Sequence, residues 1–295
     1  MSNKSFTLIE ILVVIVIIGI LSGFIIVSMA GVSQKATIAK GQAFASSLKN
    51  SMMLNLVSEW KLDDASGTTV TDYWDSNNGT WSGAGGGSYT APSWRTSSEC
   101  VSNGCLAFDA TDDYVSCGTG SNLEFSGGNF TVGVWIKPTQ ISRNQNFVVR
   151  SSGTTNGWAF RAANSNYIYL TTGSVANGVH DVTSDSTIDN NAWQHVVVTY
   201  GTSVYFYKNG FKNTSRTRYE FDSVAAALTI TGIDGWWGNI YFSGLMDDVR
   251  IYNQAIPASQ VKEEYYSGLN RLLANKEMET KEFSLRLTEL IGQND

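Results

Sequence analysis

Two patterns of apolar residues divide the chain. From Ile11 to Gln34 run 24 residues without a charge, dominated by Ile, Leu and Val. A helix needs roughly 20 such residues to cross a hydrocarbon core. Helical spacing continues past that run, with Ile38, Phe44 and Leu48 recurring among Ala and polar residues. One helix is therefore expected from Phe6 to about Leu56, 51 residues long, or roughly 75 Å at 1.5 Å per residue. Its upper half is amphipathic, with one side suited to lie against a globular head. Gly19, Gly23, Gly31 and Gly41 offer points of close helix packing, or are ordinary membrane-helix composition.

After Ser58 the period changes to short alternating runs separated by Gly, Asn, Asp and Ser clusters, the pattern of an antiparallel sandwich. Strands are expected at 106–109, 114–117, 130–136, 146–150, 158–161, 167–170, 194–200, 203–207, 228–230 and 247–252. Residues 110–113 read as the turn of a hairpin between the first two, and Lys208-Asn209-Gly210 as another tight turn. A short helix is expected over 257–268 to close the domain. A charge-rich one follows from Asn270 to Leu290, with Phe283, Leu287, Leu290 and Ile291 at helical spacing; it docks on the domain or a neighbouring subunit, or it frays.

Charge and composition sharpen this picture. The balance of 20 Lys and Arg against 26 Asp and Glu gives −6, which argues against nucleic acid as a partner, because the phosphate backbone calls for a concentrated basic face. Abundant Gly and aromatic residues fit an exported β-rich protein. Ahead of the apolar run stands a leader with a single positive charge, Lys4, which keeps the N-terminus cytoplasmic. The apolar stretch is too long for a secretory signal peptide, and no A-x-A-like cleavage site follows it. Glu10, at the start of the run, needs a partner: a carboxylate near bilayer depth costs roughly 2.5–3.5 kcal/mol or more when unpaired.

Residues 4–10, Lys-Ser-Phe-Thr-Leu-Ile-Glu, followed by Ile-Leu-Val-Val-Ile, resemble the class III leader and mature start of type IV pilins and pseudopilins. The resemblance implies that a prepilin peptidase cuts between Ser5 and Phe6, that Phe6 is then N-methylated, and that Glu10, fifth from the cut, pairs with the freed amine of a neighbouring subunit. Ser5 departs from the family's usual Gly. The implied course is insertion in the cytoplasmic membrane, then assembly with other pilin subunits into an extracellular filament.

The remainder carries a second resemblance. Trp60-Lys61-Leu62-Asp63, then Cys105-Leu106-Ala107-Phe108-Asp109 with Asp113-Tyr114-Val115, then residues 130–136 and 193–200, and finally Gly244 to Ile256 with Asp248-Val249-Arg250-Ile251-Tyr252, are similar to the laminin-G-like members of the concanavalin A-like lectin/glucanase superfamily. The fold expected is a long N-terminal α-helix followed by an all-β jelly-roll sandwich with short C-terminal helices. The boundaries are a leader over 1–5, a pilin helix over 6–57 with 11–34 in the membrane, the sandwich over 58–268 and a helical tail over 269–295.

Candidate chemistry is sparse. His195 falls in a strand and reads as structural, while His180 reads as a solvated loop residue. Asp247 and Asp248 are adjacent and so are expected to point to opposite faces, where they cannot act as the carboxylate pair of a glycosidase. Glu263 and Glu264 read as a solvated helix face. Strand parity groups Asp247 with Leu245, Val249 and Ile251, and a buried carboxylate needs a cation or several donors. A structural calcium on Asp72 and Asp247, near positions where superfamily members often hold one, is the site expected; hydrogen bonds from backbone amides or an Arg partner are the alternative. Cys100 and Cys105 bracket a Gly-containing loop and form the preferred disulfide, with Cys105–Cys117 across the expected hairpin as the other pairing. Tyr73, Trp74, Trp81, Trp94, Trp236 and Trp237 sit in loops, where they stack on sugar rings or pack into the core.

No catalytic group stands out, and the chain reads as non-enzymatic. The function expected is a pilin or minor pilin displaying a glycan- or protein-binding domain. A pseudopilin of a secretion or DNA-uptake machine and a surface-tethered glycoside-active enzyme are the competing readings.

Overall fold

The computed structural model describes residues 12, 13, 15–17, 55–82, 92–152, 156–232 and 240–292. The chain forms two compact units, Met1–Leu54 and Asn55–Asp295. In the first, residues 12, 13 and 15–17 are helical. Ser5, Phe6, Glu10, Gly19, Gly23, Gly31 and Gly41 lie outside the described residues, as do most of the apolar run and Trp236 and Trp237. Among the described residues no helix is long and apolar enough to cross a membrane.

The second unit is built of strands β1 (Leu56–Trp60), β2 (Thr69–Val70), β3 (Gly79–Ser82), β4 (Ser93–Thr96), β5 (Gly104–Asp109), β6 (Tyr114–Ser116), β7 (Phe130–Pro138) and β8 (Gln145–Ser152). Then come β9 (Asn156–Ala162), β10 (Tyr167–Ser174), β11 (Gly178–Thr187), β12 (Gln194–Tyr200), β13 (Val204–Lys208), β14 (Phe211–Lys212), β15 (Thr229–Ile230) and β16 (Ser243–Tyr252). Two helices close the chain, α1 (Ala258–Ala274) and α2 (Thr280–Gly292). The first sheet runs β14-β13-β12-β7-β16-β5-β4, with β1 also paired to β16; the second runs β11-β10-β9-β8-β15-β6-β3-β2.

Between the sheets lies an aromatic core. Phe130 stacks on Trp158 at 4.9 Å and on Tyr200 at 5.0 Å, with Phe125 at 5.5 Å. Val132, Val134 and Ile136 of β7 face it at every second position, as Val196 and Val198 of β12 do. Lys208 pairs with Phe211 across Asn209 and Gly210, both at positive φ (53° and 79°), so this turn is the two-residue type that Asn-Gly favours.

The expected hairpin over 106–117 is instead a crossing. β5 pairs with β4 and β16 in the first sheet, while β6 pairs with β3 and β15 in the second. Leu106, Phe108 and Val115 all enter the one core. Alternation marks which residues face inward and leaves the choice of sheet open.

A bulge in β16 also alters an expected parity. Register shifts between Asp247 and Arg250, and Asp248 sits at φ 49°. The extra residue flips the alternation. Met246, Val249 and Ile251 enter the inter-sheet core, while Asp247, opposite Trp135, lies with Leu245 on the outer face.

That outer face is covered by α1, whose buried residues Val261, Tyr265, Gly268, Leu269 and Leu272 recur at helical spacing. Trp135 stacks on Tyr265 at 5.6 Å and on His195 at 5.2 Å. α2 docks on the same cluster: Leu290 is buried, Phe283 packs against it, and Arg286 donates to the Trp193 carbonyl. Glu264 is buried rather than solvated; it accepts the Tyr252 hydroxyl and faces His195 Nε2 at 3.9 Å. Arg250 bridges Glu59 and Asp248, and Asp248 also binds Arg271.

Two outcomes follow from this packing. A Cβ at Gly268 would lie 2.2 Å from the Trp135 ring. Overpacking costs roughly 1–3 kcal/mol, so Gly268→Ala should lower the thermal midpoint by about 3–10 °C; an unchanged melting curve would mean the helix is not seated on Trp135. Burial first, then the Arg250 charge, hold His195 down at about 3, against an ordinary 6.5. The unfolded chain then takes up this proton first as pH falls, so stability is lost below about pH 6.5. The loss is of order 3 kcal/mol by pH 4. Urea midpoints at pH 7 and pH 4 for wild type and His195→Gln should show this part of the acid sensitivity only in the wild type.

Candidate functional site

The expected metal ligands have separate surroundings. Asp72 Oδ1 accepts the Glu59 and Trp74 amides at 3.0 Å each, and Oδ2 accepts the Asn77 amide at 3.3 Å. Asp247 Oδ2 accepts the Ser102 amide and Oδ1 the Ser102 hydroxyl, both at 2.8 Å. Burial first, then Asp248, push Asp247 well above the usual carboxylate range. The two carboxylates share no hydrogen-bond partner. Asp247 instead anchors the loop closed by the Cys100–Cys105 disulfide, which Asn275 also grips through the Ser102 carbonyl at 2.7 Å. Cys117 is a buried free thiol, pushed well up by burial.

The loop aromatics split. Tyr73 and Trp74 are exposed, and Lys61 lies over the Tyr73 ring at 4.2 Å. Trp81 and Trp94 pack against the core, and both indoles donate to the Gly67 carbonyl.

One cleft was not foreseen from the sequence. β10 and β11 form a long hairpin through a three-residue loop, 175–177, ending at Gly178 with φ 76°. β11 is an edge strand of the second sheet. Beside it runs the segment after β14: Asn213 Oδ1 accepts the Asp185 and Ser186 amides, and Arg216 donates to the Thr183 carbonyl. Between them opens a cleft of about 560 Å³, floored by Asp181 to Asp185 and walled by Tyr167, Arg216, Thr217 and Tyr219.

Its charges are answered locally. Asp181 accepts Arg161 at 2.8 Å and the Thr171 hydroxyl at 2.6 Å. Asp185 accepts the Thr214 hydroxyl and amide at 2.6 and 2.8 Å and pairs with Arg216. Those Thr214 hydrogen bonds, ahead of the Arg216 charge, hold Asp185 below the usual carboxylate range. Tyr219 stacks flat on His180 at 4.1 Å and is fixed by Tyr200, whose hydroxyl donates to its carbonyl. His180 therefore belongs to a strand and an aromatic stack rather than a solvated loop. Tyr167 and Tyr219 stay 39% and 36% exposed, which leaves ring surface for a ligand. β11 reads as loop because Val179 and Val182 are its sole large apolar residues, but the Asn177-Gly178 turn signal was there to be used.

A second group of carboxylates converges elsewhere. One oxygen from each of Asp109, Asp112 and Asp113 lies within 4.8 Å of the other two.

Two antiparallel sheets with helices packed on one outer face, and an open polar cleft at a sheet edge, define a lectin-type sandwich. The chain belongs to the concanavalin A-like lectin/glucanase superfamily, whose family model matches residues 109–262. The prokaryotic N-terminal methylation motif matches residues 1–26. Together these make a surface, pilin-like protein with a binding domain. No curated protein sequence matches the chain. Among solved structures it is similar to domain 4 of AbnA, a GH43 extracellular arabinanase from Geobacillus stearothermophilus, in complex with arabinotriose (20% identity, TM-score 0.55, 71% of this chain and 97% of that one). It is also similar to the binding domain of Paraclostridial Mosquitocidal Protein 1 (16% identity, TM-score 0.56, 74% of this chain) and of botulinum neurotoxin serotype G (13%, 0.54, 73%). It spans about half the length of those toxin domains, 53% and 51%. At these identities the likeness is one of fold.

Proposed function

We propose that the chain is a pilin or minor pilin whose outward domain binds neutral glycans in the cleft beside β11. In this reading residues 1–5 are removed, Phe6 becomes the methylated N-terminus, and residues 11–34 hold the subunit in the cytoplasmic membrane until assembly. Glu10 then pairs with the freed amine of a neighbouring subunit, which removes the cost of a lone carboxylate at bilayer depth. Removal of the leader brings in the prepilin peptidase as a transient partner.

The observation that carries the glycan assignment is the cleft's internal charge pairing. Asp181 is bound to Arg161 and Asp185 to Arg216, so a charged ligand would have to displace an existing partner. Hydroxyl and amide groups between two exposed tyrosine rings suit a polyhydroxylated, uncharged ring, since such sites combine apolar surface with a few fixed polar groups. The role in this reading is binding.

Three measurements test it. The full chain in detergent should bind immobilised neutral oligosaccharides, with arabinotriose as the first probe. Tyr219→Ala or Tyr167→Ala should weaken binding roughly tenfold, equivalent to about 1.4 kcal/mol. Failure to bind any neutral glycan on a broad array sinks the ligand assignment. Mass spectrometry of the surface form should find a start at methylated Phe6, and Glu10→Ala should leave the sandwich folded while blocking incorporation into filaments. An intact Met1 on surface protein, or normal filaments from the variant, overturns the pilin assignment and leaves the glycan result standing by itself.

A further inference from the structure

We propose that Asp109, Asp112 and Asp113 hold a divalent cation of the calcium class where the chain crosses from the first sheet to the second. The crossing is tightly built. Ala110 sits in the left-handed region at φ 72°, Asp109 Oδ1 accepts the Thr111 amide at 2.8 Å, and Asp113 Oδ2 accepts the Asp109 amide at 2.8 Å. Asp113 is 1% exposed, and its Oδ1 is buried without a hydrogen-bond donor. Asp112 Oδ1 is likewise buried and without one.

A buried carboxylate oxygen lacking any donor is costly, by several kcal/mol for a charged group. Two such oxygens lie in one cluster of three carboxylates. No Lys or Arg pairs with them among the described residues; the neighbouring Arg143 guanidinium donates to the Ala110 carbonyl and to Gln140. A single proton would satisfy one of the two orphan oxygens, whereas one divalent ion satisfies both and lowers the repulsion among all three carboxylates. Calcium accepts 6–8 oxygen ligands in flexible geometry, so three carboxylates completed by water suffice; magnesium, which demands near-ideal octahedral geometry and gives up its water reluctantly, fits less well. The site differs from Asp72 and Asp247, whose oxygens already hold amide and hydroxyl donors.

Tyr114 adjoins Asp113 in sequence, and Tyr241 lies close enough to Asp112 for that charge to raise its phenol, after burial. Either ring can sensitise a bound lanthanide. The full chain, excited at its aromatic band, should therefore give terbium luminescence that calcium displaces, and calcium over EDTA should raise its thermal midpoint saturably. Asp112→Asn has no hydrogen bond to lose and should weaken calcium at least tenfold. Asp113→Asn should abolish the response, and if that variant fails to fold the Asp112 variant still decides. Equal midpoints with calcium and with EDTA overturn the proposal. So does unchanged calcium affinity in Asp112→Asn, or loss of binding in Asp72→Asn or Asp247→Asn while Asp112→Asn binds normally.

Discussion

The first sheet is buried on both faces, and that constraint organises much of the domain. One face meets the inter-sheet core; the other lies beneath α1 and α2. Polar groups on this second face are out of reach of bulk water, and leaving one buried ion unpaired costs roughly 3–5 kcal/mol. The charged groups named here each find a partner nearby. Arg250 is held by Glu59 and Asp248, Asp248 by Arg271 of α1, and Glu264 of α1 by Tyr252. Asp247 is held by the disulfide-closed loop. The Asp248–Arg271 ion pair and the Tyr252–Glu264 hydrogen bond thus help specify where α1 sits, while Trp135 against Gly268 and Tyr265 sets how closely it approaches.

The same constraint separates what could be read in the sequence from what could not. The fold class was legible, because alternation in residues 130–136 and 194–200 and the Asn209-Gly210 turn are local signals. The preferred disulfide, Cys100–Cys105, was legible because its halves lie only five positions apart, around a short Gly-containing loop. Three features were not. Residues 110–113 connect two sheets rather than two hairpin strands, since inward-facing Leu106, Phe108 and Val115 look alike in either arrangement. Asp247 faces α1 because one residue with positive φ, Asp248, resets the parity. Glu264 is buried because its partners, Tyr252 and the outer face of β12, come from elsewhere in the chain. Each is a long-range effect that no window of neighbouring residues contains.

β11 shows the converse. It carries little apolar pattern because it lies at the edge of its sheet, with Asp181, Thr183 and Asp185 turned away from the core that receives Val182. An open edge invites pairing with another chain. Here the segment from Asn213 to Arg216 covers part of it through side-chain contacts to the Thr183 carbonyl and the Asp185 and Ser186 amides. That cover shapes the cleft. Arg216 thus both blunts the edge and lines the proposed ligand cleft.

Two acidic regions of one domain accordingly suit opposite ligands. In the cleft, Asp181 and Asp185 each hold an arginine and hydroxyl donors, so an added cation would compete with partners already in place, in an exposed setting where unit charges at 4 Å interact by only about 1–4 kcal/mol. At the crossing, Asp112 and Asp113 each carry a buried oxygen without a donor, where dehydration has already been imposed by the fold and an incoming cation displaces nothing. The selectivity lies in the donors around the acids rather than in their number. An acid-rich stretch such as Asp109 to Asp113 can thus suit a cation within a sandwich whose proposed binding cleft, lined by two carboxylates that already hold partners, suits an uncharged ring.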